Sequence, residues 1–310
     1  MDVVEPALEL TGGFTAVTGH LRVLRPHPAI YAFYDGRVPG YRFAEEHNWV
    51  DEGALSLGIA SYAIVSGTHA LVYDTHVSIA HAEAIRETLQ REAGVSTFTV
   101  VLSHWHLDHI AGNCAFADCE IIATERTAAH LERHRSAIEA GTQEGPPAIS
   151  PLVLPTRVFT GALSLDIGSI RLELIESNIH SDDAAVVWWA AERILLAGDT
   201  MEDTVTYVTE PDGLEQHLAD LARLDALAPA RVLPNHGDPD IIARGGYSRG
   251  LNRAMQQYIR ALLRCKSDAE LRDSPLRTLI QGPINTGWIT YYEPYEEVHK
   301  ENLTKICGAA

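Results

Sequence analysis

A chain of 310 residues is long enough to bury a substantial core, as one large domain or two small ones. Its 24 basic against 42 acidic residues leave a formal charge of −18, and a surface that acidic repels phosphate backbones and anionic headgroups, so nucleic acid and membrane are excluded as partners. No run approaches the roughly 18 apolar residues of a membrane helix; the first thirty residues carry acids and prolines where a secretory leader needs an unbroken apolar segment, and the four cysteines lack CxxC spacing, so the sequence predicts a cytoplasmic protein with reduced thiols.

In chain order, residues 1–50 read as a β extension packed on the core, with "HLRVL" and "AIYAFY" as strands. A core over 51–245 begins with "LSLGIASYAIVSGTHALVYDT", two strands about a Ser66-Gly67 turn, the second ending at Asp74. "IAHAEAIRETLQREAG" has helical spacing with a glycine stop at Gly94, and "FTVVLS" is a buried strand. A strand "CEIIAT" and a helix over about 125–140 precede "GTQEGPPAISPLVLP", a loop rich in glycine and proline. Strands follow at "IRLELIE", "AAVVWWA" and "RILLAGD", then a helix over about 213–227 and the strand "RVLP". Residues 246–310 hold a helix over "SRGLNRAMQQYIRALLRC" and an aromatic tail.

The strand "FTVVLS" delivers "HWHLDH": His104, His106, Asp108 and His109 lie within six residues. On extended backbone His104 and His106 face the same way, while Asp108 and His109 sit where the chain turns. So many donors aimed at one place repel or desolvate one another unless a cation holds them, which marks a metal site. Further ligands belong at strand ends, where side chains project into a cleft, and three such positions occur: His180 in "SNIHSDD", Asp199 after "RILLAG" and His236 in "PNHG". Nitrogen and carboxylate donors without thiolate suit zinc, with iron or manganese as alternatives. Cys114, near the motif, reads as a small packed side chain, with a ligand role as the alternative.

This series resembles the metallo-β-lactamase superfamily: Asp74, then His104, His106, Asp108 and His109, then His180, Asp199 and His236, in order over about 56–240. The resemblance implies an α/β fold of four layers, an αββα sandwich with a metal cleft at one edge. It implies two zinc ions: one held by His104, His106 and His180, the other by Asp108, His109 and His236, with Asp199 bridging and Asp74 steadying the loop. It implies a hydrolase in which a metal-activated water attacks, with Asp108 orienting it.

The departures narrow the branch. True β-lactamases of the superfamily have cysteine or serine where Asp199 stands, and the branch whose "His-Thr-x-Asp-Asn" strand "HSDDAAVVWW" resembles has a lysine three residues later that grips the substrate carboxylate; here that position is Glu202, which disfavours such a substrate. The lactonase branch has a tyrosine at the same position, a role Tyr207 could take instead. Glyoxalase II, the nucleases and the flavodiiron proteins match less well, leaving a lactone, ester, thioester or related acyl bond as the expected small-molecule substrate. Phosphate or sulfate ester hydrolysis, β-lactamase activity and a metal-containing signal- or partner-binding protein are the alternatives.

"GYSRG" fits a nucleophile elbow, with Asp273 and His299 following, but no strand precedes it and Ser248 reads better as a helix cap. "HLERH" puts His130 and His134 one helical turn apart with the glutamate at the wrong offset for a zincin, and reads as a solvated face. The tail "GPINTGWITYYEPYEEVHKENL" is too aromatic for a free end; it either folds back as a substrate wall or mediates a homodimer.

Overall fold

The structure, a computed structural model, describes residues 18–308; the start of the expected N-terminal extension lies outside the described residues. A first sheet runs in spatial order β1 (Arg22–His27), β2 (Ile30–Asp35), β3 (Ile59–Ser66), β4 (His69–Tyr73), β5 (Thr97–Val101), β6 (Glu120–Thr124) and β7 (Arg157–Phe159), antiparallel as far as β4 and parallel from there on. A second holds β8 (Ala162–Ile167), β9 (Ile170–Glu176), β10 (Ala185–Trp189), β11 (Ile194–Gly198) and β12 (Arg231–Pro234), with only the β11–β12 pair parallel.

Alternation along the strands explains why two sheets must stack. In β2, Ile30, Ala32 and Tyr34 point into the core between the sheets, while Tyr31 and Phe33 point to the opposite face. That outer face is covered by helices α1 (Ile79–Ala93) and α3 (Glu125–Ala140), whose Ile85, Leu89, Leu131 and Ile138 join the outer cluster; α2 (Leu107–Ile110) is a single turn inside the histidine loop. Helices α4 (Leu214–Ala226) and α6 (Gly250–Cys265) pack on the second sheet, while short α5 (Pro239–Ala243) lies against β1 and β2 of the first. The layers thus run helix, sheet, sheet, helix: the αββα sandwich expected. Short turns α7 (Ala269–Arg272), α8 (Leu276–Leu279) and α9 (Gln281–Asn285) lead to a last helix, α10 (Tyr295–Cys307).

Local chemistry sets the ends of the helices. Ser78 and Thr124 cap α1 and α3 by accepting from the backbone N–H groups of His81 and Thr127, and both helices stop at a left-handed glycine, Gly94 and Gly141. Three buried tyrosines of the first sheet fasten it to the second near the strand ends: Tyr34, Tyr62 and Tyr73 donate to the carbonyls of Gly237 (2.9 Å), Pro234 (2.5 Å) and Ala185 (2.6 Å). Burial pushes all three hydroxyls above the usual phenol range, so they stay protonated donors.

The structure adds elements that the sequence did not announce. Strands β7 and β8 occupy sheet edges, and the aromatic tail becomes a helix, α10. It folds back: Pro294, Glu297, Val298 and Glu301 line the cleft, as a substrate wall would. Helix α6 begins at Gly250 with Arg249 at its N-cap, so Ser248 is not the cap expected: it sits one residue earlier and accepts from the Gly250 N–H (3.1 Å). His299 bonds Tyr258 of α6 (3.0 Å), not Ser248. All four cysteines are free. No helix among the described residues is long and apolar enough to cross a membrane.

Candidate metal centre

The five segments that carry the expected ligands all leave strands at their C-terminal ends: Asp74 follows β4, the "HWHLDH" loop β5, His180 β9, Asp199 β11 and His236 β12. Two glycines let them converge. A Cβ on Gly112 would stand 2.2 Å from the Thr75 carbonyl, so only glycine lets the loop lie against the start of α1. Gly198, at φ +56°, sets Asp199 in place where a Cβ would come within 2.8 Å of the Tyr73 hydroxyl. His180 (φ +70°) and Asp74 (φ +66°) hold left-handed backbone without being glycine, local strain of the kind that persists at functional sites.

Two ligand groups form. Nε2 of His104 and Nε2 of His180 each lie 2.9 Å from Nδ1 of His106. Across from them, Nε2 of His109 is 3.4 Å from one Asp108 oxygen and Nε2 of His236 is 3.3 Å from the other. A single atom stands between the groups: Asp199 Oδ2 lies 3.1 Å from His109, 3.4 Å from His236, 3.7 Å from His104 and 3.8 Å from His180. The second oxygen, Oδ1, is buried without any hydrogen-bond partner among the described residues.

The far ring nitrogens are fixed by other protein groups, which orients the near ones. His104 Nδ1 meets the Ser103 hydroxyl (2.8 Å), while His236 and His180 donate from Nδ1 to the carbonyls of Gly58 (2.8 Å) and Tyr207 (3.1 Å). His109 Nδ1 faces Asp74 Oδ2 at 2.9 Å; Asp74 also accepts from the Ser103 N–H (2.6 Å) and from Asn235 (2.6 Å).

Electrostatics divide the two groups. Burial, then neighbouring imidazoles, hold His104 well below its ordinary value, and burial beside His180 pushes His106 down to about 3, so both present neutral lone pairs. Burial opposes charge at His109 and His236 too, but Asp108 and Asp199 outweigh it and hold both well above the usual imidazole range. Those imidazoles in turn overcome burial to keep Asp199 well below the carboxylate range and Asp108 at about 2. The neutral nitrogens of His104 and His106, the ionised carboxylates and an orphaned carboxylate oxygen are what a divalent cation satisfies, and a bound cation would take the place of the protons that the carboxylates hold on His109 and His236, so these residues fit a metal centre. Cys114 joins none of the metal-capable groups among the described residues.

A model of the metallo-beta-lactamase superfamily matches residues 56–236, more than half of the chain. The chain belongs to this superfamily. Among solved structures, it is similar to a metallo-beta-lactamase from Pontibacter korlensis (16% identity, TM-score 0.54, 76% of this chain and 99% of that one). It is similar also to DIM-1 metallo-beta-lactamase exposed to ceftazidime (20% identity, TM-score 0.52, 76% and 97%), and to VMB-1 (14% identity, TM-score 0.56, 79% and 98%). At these identities the likeness is one of fold. Members of the superfamily are generally hydrolytic metalloenzymes, and the centre just described sits within the matched region.

A cleft of about 700 Å³ opens above the centre. Glu202 borders it but turns its carboxylate into protein: Oε1 accepts from the Tyr207 N–H (3.0 Å) and lies 3.6 Å from His180, and Oε2 accepts from the Tyr295 hydroxyl (3.1 Å). The Glu202 carboxylate is thus engaged by protein groups; Glu52, Glu297 and Glu301 line the cleft, with Glu144 pushed up to about 7 by burial, and no lysine or arginine lines it among the described residues. Tyr207 is half-buried in the wall, with the Lys305 ammonium 3.8 Å from its ring.

"HLERH" is not simply a solvated face. The Trp105 ring, from inside the histidine motif, stacks on His134 (4.7 Å) and His130 (5.3 Å), and His130 pairs with Asp182 (2.8 Å). Trp105 and Trp49 both wall the cleft, and Trp49 is tied to the Gly/Pro-rich loop by its indole N–H on the Pro147 carbonyl (3.0 Å). Sequence reasoning missed both tryptophans and Asn235. Trp105 and Asn235 each lie beside a ligand, the one signal that could have found them.

Proposed function

We propose that the protein is a dinuclear, metal-dependent hydrolase of an acyl bond: a lactone, an ester or a thioester. The observation that carries this is the seat of Asp199 Oδ2, within 3.1–3.8 Å of one nitrogen or more from each ligand group, so that a single carboxylate serves both. We assign His104, His106 and His180 to one cation and Asp108, His109 and His236 to the other, with zinc as the metal that suits the donors. When bound, two such cations acidify a shared water and polarise the substrate carbonyl.

The chain's own groups do the rest. Asp108 and His106 are the ligands that reach furthest into the cleft, the Asp108 side chain 17% exposed against 5% for Asp199 and His236, and the ionised Asp108 carboxylate orients the attacking water. Tyr207 keeps its hydroxyl protonated through burial and the nearby Glu301, and can donate to the departing oxygen or sulfur. Trp49 and Trp105 pack on the apolar part of the substrate. The acidic rim selects neutral or cationic acyl compounds over the carboxylate of a β-lactam or the anion of a phosphate ester.

The test is a hydrolysis panel of lactones, esters, thioesters, β-lactams and phosphodiesters on protein of measured metal content. It includes aryl esters matched in size but bearing an ammonium, no charge or a carboxylate. Acyl turnover lost in Asp199→Ala, with the carboxylate ester the poorest of the three, is the expected result. Turnover confined to phosphodiesters refutes the reading.

A further inference from the structure

The two ligand groups are braced from different parts of the chain. His109 is held by Asp74 and Asn235, both within the matched region 56–236. His180 is held by the irregular segment after β11: its Nδ1 donates to the Tyr207 carbonyl, and its own carbonyl accepts from the Thr209 N–H (3.0 Å). That segment has no ladder of its own: Asp203 and Thr204 are tied to Thr290 and Tyr292, and the stretch 206–208 takes its shape from α10. Asn302, fully buried, accepts from the Val208 N–H (2.8 Å) and donates to the Thr206 carbonyl (3.0 Å), bracketing Tyr207 on both sides. Lys305 donates to the Val208 carbonyl (3.1 Å), and Tyr295 reaches Glu202, whose other oxygen accepts from the Tyr207 N–H.

We propose that α10 is a positioning element chiefly for one metal position: through Asn302 and the Tyr295–Glu202 pair it fixes the Tyr207 carbonyl, and so the His180 side chain, whereas the other position meets the same segment only through backbone carbonyls, that of Asp199 accepting from the Thr206 hydroxyl (2.9 Å) and that of His236 from the Asp203 N–H (3.1 Å). The inference rests on the two-metal reading above. Outer partners of this kind, when removed, cost roughly 10–100-fold in metal affinity. Asn302 and Tyr295 touch neither a ligand side chain nor the cleft floor, so their effect must travel through the segment.

The test is a competition titration of zinc against a chelator, with stepwise affinities, on the full chain and on Asn302→Leu, Tyr295→Phe and Glu202→Gln. NMR of the cobalt-substituted proteins, which resolves ligand imidazole N–H protons, shows which position changes. One equivalent weakens by about 10–100-fold in the α10 variants, with the His180 N–H signal altered and the His109 and His236 signals kept; Asp74→Ala shows the mirror pattern. Equal weakening of both equivalents, as general loosening of the fold would give, overturns the proposal, and so does unchanged binding in all three. A wild-type protein that binds no second equivalent overturns the two-metal reading itself.

Discussion

Asp74 is buried and accepts three hydrogen bonds, from the Ser103 N–H at 2.6 Å, Asn235 at 2.6 Å and His109 at 2.9 Å. Asp74→Ala strips the acceptor from all three at once. Leaving a buried donor unsatisfied costs about 1–3 kcal/mol, and breaking a buried charged pair about 3–5 kcal/mol; water entering the space left by the carboxylate holds the total near the lower end, about 3–4 kcal/mol. Asp74→Asn keeps the shape. With its oxygen toward His109 and Asn235 it loses only the Ser103 bond, about 1–3 kcal/mol, and keeps the imidazole tautomer. The two variants thus separate folding from function. Both lower the denaturation midpoint, but Asp74→Ala alone frees the His109 tautomer and weakens one metal equivalent by about 10–100-fold. Denaturant unfolding and zinc titration measure the two effects. Wild-type metal affinity in Asp74→Ala refutes the role given to the carboxylate.

Tyr62→Phe removes the hydroxyl that meets the Pro234 carbonyl from a fully buried site, so unfolding free energy falls by about 1–3 kcal/mol without loss of the fold, as a melting experiment will show. His217, on α4, has no partner for either ring nitrogen among the described residues, and burial beside His180 pushes it down to about 4. The unfolded chain takes up that proton near 6.5, the ordinary value, so between about 6.5 and 4 the unfolded state binds more protons and stability falls as pH is lowered, by up to about 3 kcal/mol. His217→Leu is therefore close to neutral at pH 7 and flattens that acid limb in urea unfolding followed against pH; an unchanged limb contradicts the assignment.

The parts legible in the sequence were those where one residue type has one use. "HWHLDH" announces a metal loop because nothing else explains its density, and buried runs such as "AVVWW" and "ILLAG" announce core strands. Edge strands were missed: in β8 exposed Ala162, Ser164 and Asp166 alternate with half-covered Leu163 and Leu165 and buried Ile167, a period-two pattern that lasts only six residues. Helix α10 was hidden by its own tertiary role, since Asn302 and His299, polar in the sequence, are buried there and spoil the apolar periodicity. Glu202 shows the limit at the site: its place three residues after Asp199 is readable, but the direction its carboxylate turns is set by Tyr295, far along the chain.

The central claim is that Asp199 is shared by two cations that the reaction requires, and the most direct measurement is acyl hydrolysis as metal is returned stepwise to chelator-stripped protein. Expected are no turnover in the stripped protein, a rise completed only with the second equivalent, and neither the second equivalent nor the activity in Asp199→Ala. Full acyl turnover by the stripped protein, or by Asp199→Ala, would contradict it.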